Sequence, residues 1–195
     1  MAVALRRSDF LARLRAVLLS PKRAWGFIAV ESADPTGLYL RLVLPLAAIP
    51  PLAKLLSWSL LFGFISFGRA AAAAALAWAF SAAGVAIIAL AAARLARYFE
   101  GEERFDQALK LIAYSATASW LGGIFRLVPI LAILSPLCSL YGVYLVYRGA
   151  PTLLEIPSER AAPYALAVAG VAVALYFASA ALVAGLLGIG AWGMA

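Results

Sequence analysis

Long apolar runs separated by short charged segments are the feature that most limits how this chain can fold. A run of about 18 or more apolar residues predicts a transmembrane helix. Hydrophobic residues make up 66% of the chain and charged residues 13%, whereas globular domains are about half apolar and a quarter charged. The sequence therefore predicts an all-α polytopic membrane protein, in which residues 38–195 form a five-transmembrane-helix bundle with spans at about 38–64, 70–95, 108–125, 129–147 and 164–187.

Residues 1–37 are predicted to form a cytoplasmic segment of amphipathic helices that lie at the membrane interface. The first helix has one apolar face, formed by Phe10, Leu11, Leu14, Val17 and Leu18. Cations beside such a face suit the membrane surface, where they meet lipid phosphates. The predicted lipid-headgroup contacts are Arg6, Arg7, Arg13, Arg15, Lys22, Arg23 and Trp25. The same pattern also fits helices that fold back onto the protein, and this alternative stays open.

Prolines inside the predicted spans are candidate helix breaks: Pro45, Pro50 and Pro51 in span one, and Pro136 in span four. Proline removes a backbone donor and clashes with the preceding helical turn. We therefore expect span one to be kinked or broken and span four to be kinked.

Lys54 follows the proline pair at or near membrane depth. A charge there costs about 2.5–3.5 kcal/mol on insertion scales, which makes Lys54 a candidate functional residue. The alternative is that the break in span one lets its ammonium group reach the headgroups.

Polar side chains at membrane depth concentrate in spans three and four. Together with Lys54 they form a candidate intramembrane polar site of Lys54, Tyr114, Ser115, Thr117, Ser139, Tyr141 and Tyr144. A buried tyrosine hydroxyl needs a partner, and we expect Tyr141 to pair with Tyr114. In span two, the small residues Ala77, Ser81 and Gly84 predict close helix contacts.

Residue types that the chain lacks exclude several kinds of chemistry. There is no His or Asn, and Cys138 is the one cysteine. No nucleophile stands beside a base, so we predict no catalytic residues, no metal site, no cofactor and no enzymatic activity. The net charge of +7 is spread between apolar runs, which disfavours nucleic acid as a partner.

The basic residues predict the orientation. If five spans are present, 13 of the 16 Lys and Arg fall on the side of the N-terminus, and Lys54, Arg69 and Arg126 are the others. The positive-inside rule then places the N-terminus in the cytoplasm and the C-terminus outside. All nine acidic residues are also on the cytoplasmic side, and we expect residues 100–110, including Lys110, to form an exposed charged loop.

With these residues laid out, the chain resembles the Yip1 family of integral membrane proteins over about residues 14–190. The motifs that carry the resemblance are Pro21-(x)3-Trp25-(x)2-Ile28, Tyr39-(x)5-Pro45-Leu46-(x)2-Ile49, Phe99-(x)1-Gly101-(x)3-Phe105, Ala108-Leu109-Lys110-Leu111-(x)2-Tyr114-Ser115 and Leu140-Tyr141-Gly142-(x)1-Tyr144-Leu145-(x)1-Tyr147-(x)1-Gly149-(x)1-Pro151. One departure is Ala118, where many relatives have a proline after Thr117. The resemblance implies five spans and a cytoplasmic N-terminus, and its eukaryotic members bind Rab-type GTPases. The Arg-rich and Ala-rich composition favours a bacterial inner membrane.

Two hypotheses for the function follow. The first is a non-enzymatic adaptor or membrane-organising protein, whose cytoplasmic face docks a cytoplasmic or membrane protein partner. The second is a small transporter, channel or lipid-handling protein that uses the irregular first span and the polar residues of spans three and four. Membrane lipids are partners in both, and assembly as a homo-oligomer is left open.

Overall fold

A computed structural model describes residues 7–32, 34–61 and 66–188, and the regular structure within these ranges is helical. In chain order the α-helices are α1 (Arg7–Leu19), α2 (Pro21–Val30), α3 (Pro35–Leu38), α4 (Leu44–Ala47), α5 (Ile49–Leu55), α6 (Phe67–Ala96), α7 (Phe105–Gly122), α8 (Ser135–Leu153) and α9 (Ala161–Leu187). The helices α3, α4 and α5 belong to one irregular segment, and the last four are long.

The irregular segment changes its helix type near each proline and is helical apart from one turn residue. A π-helical stretch (Tyr39–Val43) precedes Pro45, which lies in the first turn of α4. A turn at Ala48 precedes α5, whose first turn holds Pro50 and Pro51. Proline is tolerated in a first helical turn because its missing N–H would have no intrahelical partner. The prolines therefore alter the hydrogen-bond pattern of this span without dividing it.

Pro136 lies in the first turn of α8, directly after a 3-10 stretch (Pro129–Leu134). The helix type changes from 3-10 to α directly in front of Pro136, and the kink stays a prediction. At its other end α8 continues through Pro151 to Leu153. The fourth span, predicted to end at about residue 147, thus continues to Leu153.

Four helical segments of the described chain are long and apolar enough to cross a membrane: Pro35–Ser59, Phe67–Phe99, Pro129–Leu153 and Ala161–Leu187. The helix α7 corresponds to the predicted third span but is not in this set. It carries charged and polar side chains such as Asp106, Gln107 and Lys110. The all-helical fold is confirmed, and the count of five spans stays a prediction.

The long helices contact one another in a ring, in the order α6, α7, α8, α9 and back to α6. At one end, which we call the loop end, the backbone N–H of Glu102 donates to the carbonyl of Leu154 at 2.8 Å. At the other end, which we call the far end, the start of α6 meets the end of α9, because Arg69 donates to the carbonyl of Leu187 at 2.7 Å. The helix α5 packs against α6 and against the turn that follows α7.

The N-terminal helices α1 and α2 pack into the same core as α7 and α8. Val17 and Trp25 are fully buried. A Cβ atom at Gly149 would lie 2.5 Å from Leu111 Cδ1 and 2.8 Å from Trp25 Cε2, so the missing side chain of this glycine makes room for the indole. Trp25 therefore cannot contact lipid headgroups as predicted. The interfacial position of α1 and α2 is not confirmed, and their folding back onto the bundle is what the structure shows.

Replacing Trp25 with alanine should destabilise the protein strongly. We expect the free energy of unfolding to fall by about 3–5 kcal/mol, as is typical for a buried tryptophan. Thermal unfolding in detergent measures this as a lower midpoint. Phe27→Ala is the matched control, because Phe27 lies on the same helix and is 75% exposed; its effect should stay below about 0.5 kcal/mol. Equal midpoints for the two variants would contradict the docking of α2.

Candidate functional site

The central helix α7 separates the predicted polar residues into two groups. Most of its side chains are buried, and it contacts α1, α6 and α8. Tyr114 and Tyr141 lie towards the N-terminal helices. Ser115, Ser139 and Lys54 line a cavity inside the ring of long helices. The structure therefore does not bring the predicted residues together in one site.

Lys110 caps the C-terminal end of α2. Its Nζ atom donates to the carbonyls of Ile28 at 3.2 Å and Glu31 at 2.6 Å. Beside it, Gln107 Nε2 donates to the carbonyl of Ala29 at 3.1 Å. The last carbonyls of a helix have no intrahelical partner and carry partial negative charge, so a cation there is stabilising. The exposed position predicted for Lys110 is wrong, because its side chain is buried.

Two further contacts hold α1 in place. Arg13 donates to both carboxylate oxygens of Glu31, and this hydrogen bond raises the pKa of Arg13. The Tyr141 hydroxyl donates to the carbonyl of Leu18 at 2.6 Å. The predicted hydrogen bond between Tyr141 and Tyr114 is therefore wrong.

Only part of the predicted set of lipid-headgroup contacts is accessible. Arg15, Lys22 and Arg23 are exposed. Arg6 and the side chain of Arg7 lie outside the described part of the chain. Headgroup contact stays a prediction for the three exposed cations.

Thr117 and Tyr144 have local contacts. Thr117 is fully buried and donates to the carbonyl of Tyr114 at 2.6 Å, within α7. Tyr144 is 44% exposed, and its ring centroid lies 5.6 Å from that of Tyr141 and 6.3 Å from that of Tyr147. Neither side chain lines the cavity.

The cavity has a volume of about 780 Å³ and is bounded by α5, α6, α7, α8 and α9. Its wall on α6 includes Ala77, Ser81 and Gly84, whose small side chains leave part of this space open. Some polar atoms of the wall have partners within the protein, whereas the buried Ser115 Oγ has none among the described residues. Ser81 Oγ accepts from Trp120 Nε1 at 3.1 Å, and Ser135 Oγ donates to a backbone carbonyl at 3.1 Å. The interior is therefore mainly apolar in character.

Tyr164 lies next to the cavity wall, on the side of the loop end. Its side chain is fully buried at the start of α9, and its hydroxyl donates to the carbonyl of Ala92 on α6 at 3.0 Å. Its ring packs edge-on against Phe99, with 5.7 Å between the ring centroids. The neighbouring residues Ala165 and Val168 already belong to the cavity wall.

Two cations, Lys54 and Arg126, line the cavity on the side of the far end. Lys54 Nζ lies 4.1 Å from the centroid of the Trp58 ring, a cation–π contact. No described carboxylate forms an ion pair with either cation. One charge at membrane depth costs about 2.5–3.5 kcal/mol, and two like charges lining one cavity add repulsion.

Sequence reasoning does not single out Arg126 or Trp58 as site residues. Trp58 follows Lys54 by four positions, a spacing that places both on one helical face and would have suggested the contact. Arg126 lies at the cavity because the turn that carries it packs against α5. Gly123, in the same turn, lies against Pro50 so closely that a Cβ atom would be 2.5 Å from Pro50 Cγ. No sequence pattern predicts this approach.

The cavity can bind a ligand through apolar contacts with its walls and through the positive charges of Lys54 and Arg126. The described residues contain no cluster of three His, Cys, Asp or Glu side chains that could hold a metal ion. The walls can accommodate hydrocarbon, and the far end carries positive charge.

Replacing Lys110 with methionine should weaken the docking of α2. The substitution keeps the length of the side chain and removes the donor to two helix-terminal carbonyls, a loss of about 1–3 kcal/mol. Hydrogen exchange at the amides of α2 should become about tenfold faster or more. Arg94→Met is the matched control, because Arg94 is an exposed cation on α6. Unchanged protection of α2 in Lys110→Met would contradict the capping role.

Comparison with known proteins gives one finding. The family model described as the Yip1 domain matches residues 15–182. This range contains the Lys110 cap and both cavity cations. Searches of curated proteins and of solved structures returned no match. With most of its length matched and four apolar helices able to cross a bilayer, the chain belongs to the Yip1 family and is an integral membrane protein.

Proposed function

We propose that this protein is a non-enzymatic lipid-handling protein, which binds the hydrocarbon chain of a membrane lipid inside the ring of α6 to α9. The observation that carries the proposal is the apolar cavity of about 780 Å³ at membrane depth. Ligand cavities of this kind span about 300–1,000 Å³.

The cavity is also elongated in the direction that a lipid chain requires. Its wall on α6 extends from Ala70 to Ile88, and its wall on α9 from Ala165 to Val183. At 1.5 Å per residue each wall covers about 27 Å, close to the thickness of the hydrocarbon layer of a bilayer. Atoms that line an empty apolar cavity have no van der Waals partners on the side of the cavity, and an alkyl chain inside it would supply them.

The closed loop end favours binding over conduction. A channel needs a path through both ends, whereas the contact of Tyr164 with Ala92 joins α9 to α6 below the cavity. A lipid chain that enters from the far end would therefore end against Tyr164.

We further propose that α7 is the third of five spans, with the N-terminus in the cytoplasm and the protein in a bacterial inner membrane. The charge distribution supports this orientation, since 13 of the 16 basic residues then face the cytoplasm. The far end of the cavity would lie in the outer leaflet.

Filling the cavity should abolish lipid retention. Ala77→Phe places a ring in the space that a lipid chain would occupy, because Ala77 lines the cavity. Ala79→Phe is the matched control, because Ala79 is exposed on the same helix. Native mass spectrometry of protein released from membrane vesicles should show bound lipid in the wild type and in Ala79→Phe, and about tenfold less in Ala77→Phe. Equal lipid retention in all three proteins would contradict the proposal.

The adaptor role is a second candidate, supported by exposed apolar side chains on the N-terminal helices. Leu19, Phe27 and Val30 are 69%, 75% and 84% exposed, next to the exposed cations Lys22 and Arg23. Apolar residues grouped on one surface indicate a contact with a partner or with the membrane.

A double substitution tests this surface. Phe27→Ser combined with Val30→Ser should abolish cross-linking to a cytoplasmic or membrane protein while the unfolding midpoint stays the same. Leu166→Ser, at an exposed position of α9, is the control. Identical cross-linked products from all variants would argue against the adaptor role, and a product made only of this chain would identify a homo-oligomer instead.

A further inference from the structure

We propose that the lipid bound in this cavity is anionic and that Lys54 and Arg126 hold its phosphate headgroup at the far end. The inference rests on the lipid-binding function proposed above and adds the chemical class of the ligand. It is carried by the position of two cations on one side of an otherwise apolar cavity.

No carboxylate of the described residues pairs with these cations. All nine acidic residues lie within residues 9–34, 100–106 and 155–159. The ion pairs of the described residues accordingly join the N-terminal helices or the loops at the loop end. None of the described acidic side chains lies at the far end, so a bound anion would supply the compensating charge there.

A comparison with Arg69 distinguishes a structural cation from the two in the cavity. Arg69 is also at the far end, and its guanidinium donates to the carbonyls of Leu187 and Gly188 at 2.7 and 3.0 Å. It therefore caps the end of α9. Among the hydrogen bonds of the described residues, none has Arg126 as donor. Within the described residues its guanidinium donors are available to a ligand.

The two cations suit a phosphate group in complementary ways. A guanidinium presents a planar fork that binds two oxygens, and an ammonium group is a compact point charge. The Trp58 ring positions Lys54, since its centroid lies 4.1 Å from Nζ. The contact of Pro50 with Gly123 joins α5 to the turn that carries Arg126. Both cations are thus held on a common side of the cavity, where low dielectric strengthens their attraction for an anion.

A headgroup competition tests the assignment. The full-length protein is equilibrated in detergent with equal amounts of phosphatidylglycerol and phosphatidylcholine that have identical acyl chains, and bound lipid is counted by native mass spectrometry. The wild type should retain phosphatidylglycerol about tenfold over phosphatidylcholine. The double variant Lys54→Gln, Arg126→Gln should lose this preference and still retain phosphatidylcholine at the wild-type level.

Matched variants make the result specific. Arg94→Gln removes an exposed cation of α6 away from the cavity and should keep the full preference. Lys54→Arg retains the positive charge, and this variant should also retain the preference for phosphatidylglycerol. An unfolding midpoint close to that of the wild type shows that the double variant is folded, and phosphatidylcholine bound to that variant shows the same.

Each other outcome overturns a defined part of the argument. Equal retention of both lipids by the wild type, lost in Ala77→Phe, would overturn the anionic assignment and leave the lipid-binding function standing. A preference that survives in the double variant would overturn the role of the two cations. If the wild type retains no more of either lipid than Ala77→Phe does, the lipid-binding function is overturned as well. Displacement of phosphatidylglycerol by inorganic phosphate, but not by chloride of equal ionic strength, would show that a free anion is the ligand.

Discussion

The polar side chains of the central helix α7 are the constraint on which the rest of this structure depends. Polar groups that face hydrocarbon without a partner cost several kcal/mol each. Several of the polar side chains of α7 have partners within the protein, whereas Gln107 Oε1 and Ser115 Oγ have none among the described residues. Lys110 and Gln107 find theirs at the end of α2, and Trp120 finds one in Ser81 of α6. The docking of α1 and α2 is therefore a consequence of the composition of α7, and these helices are part of the bundle.

The apolar runs were sufficient to predict the long helices, and the predicted bounds of the second and fifth spans lie within three residues of α6 and α9. The position of the N-terminal helices could not be predicted in the same way. An apolar helical face beside arginines has one pattern, whether it meets lipid or a groove in the protein. The N-terminal helices pack into the protein because Gly149 has no side chain and leaves room for Trp25. A single sequence does not reveal that these two distant residues pack together.

The candidate site was predictable in part. Ser139 and Tyr141 are two positions apart, and helical periodicity turns such residues to different sides of α8. This argument already separates the tyrosine that holds α1 from the serine that lines the cavity. Lys54 was identified because a charge in an apolar run is rare. Arg126 could not be identified in this way, because only the packing of its turn against α5 places it on the same side of the cavity as Lys54.

The space inside the ring results from missing side chains and not from widely separated helices. α6 contacts α7 and α9 directly, and yet its alanines and Gly84 leave a cavity between them. Protein interiors are close-packed, so an apolar space of this size gains dispersion contacts when another molecule fills it. In the function proposed above that molecule is a lipid, and the two ends of the cavity would define how it lies. The cations at the far end would attract its headgroup, and the contact of Tyr164 with α6 would stop its chain.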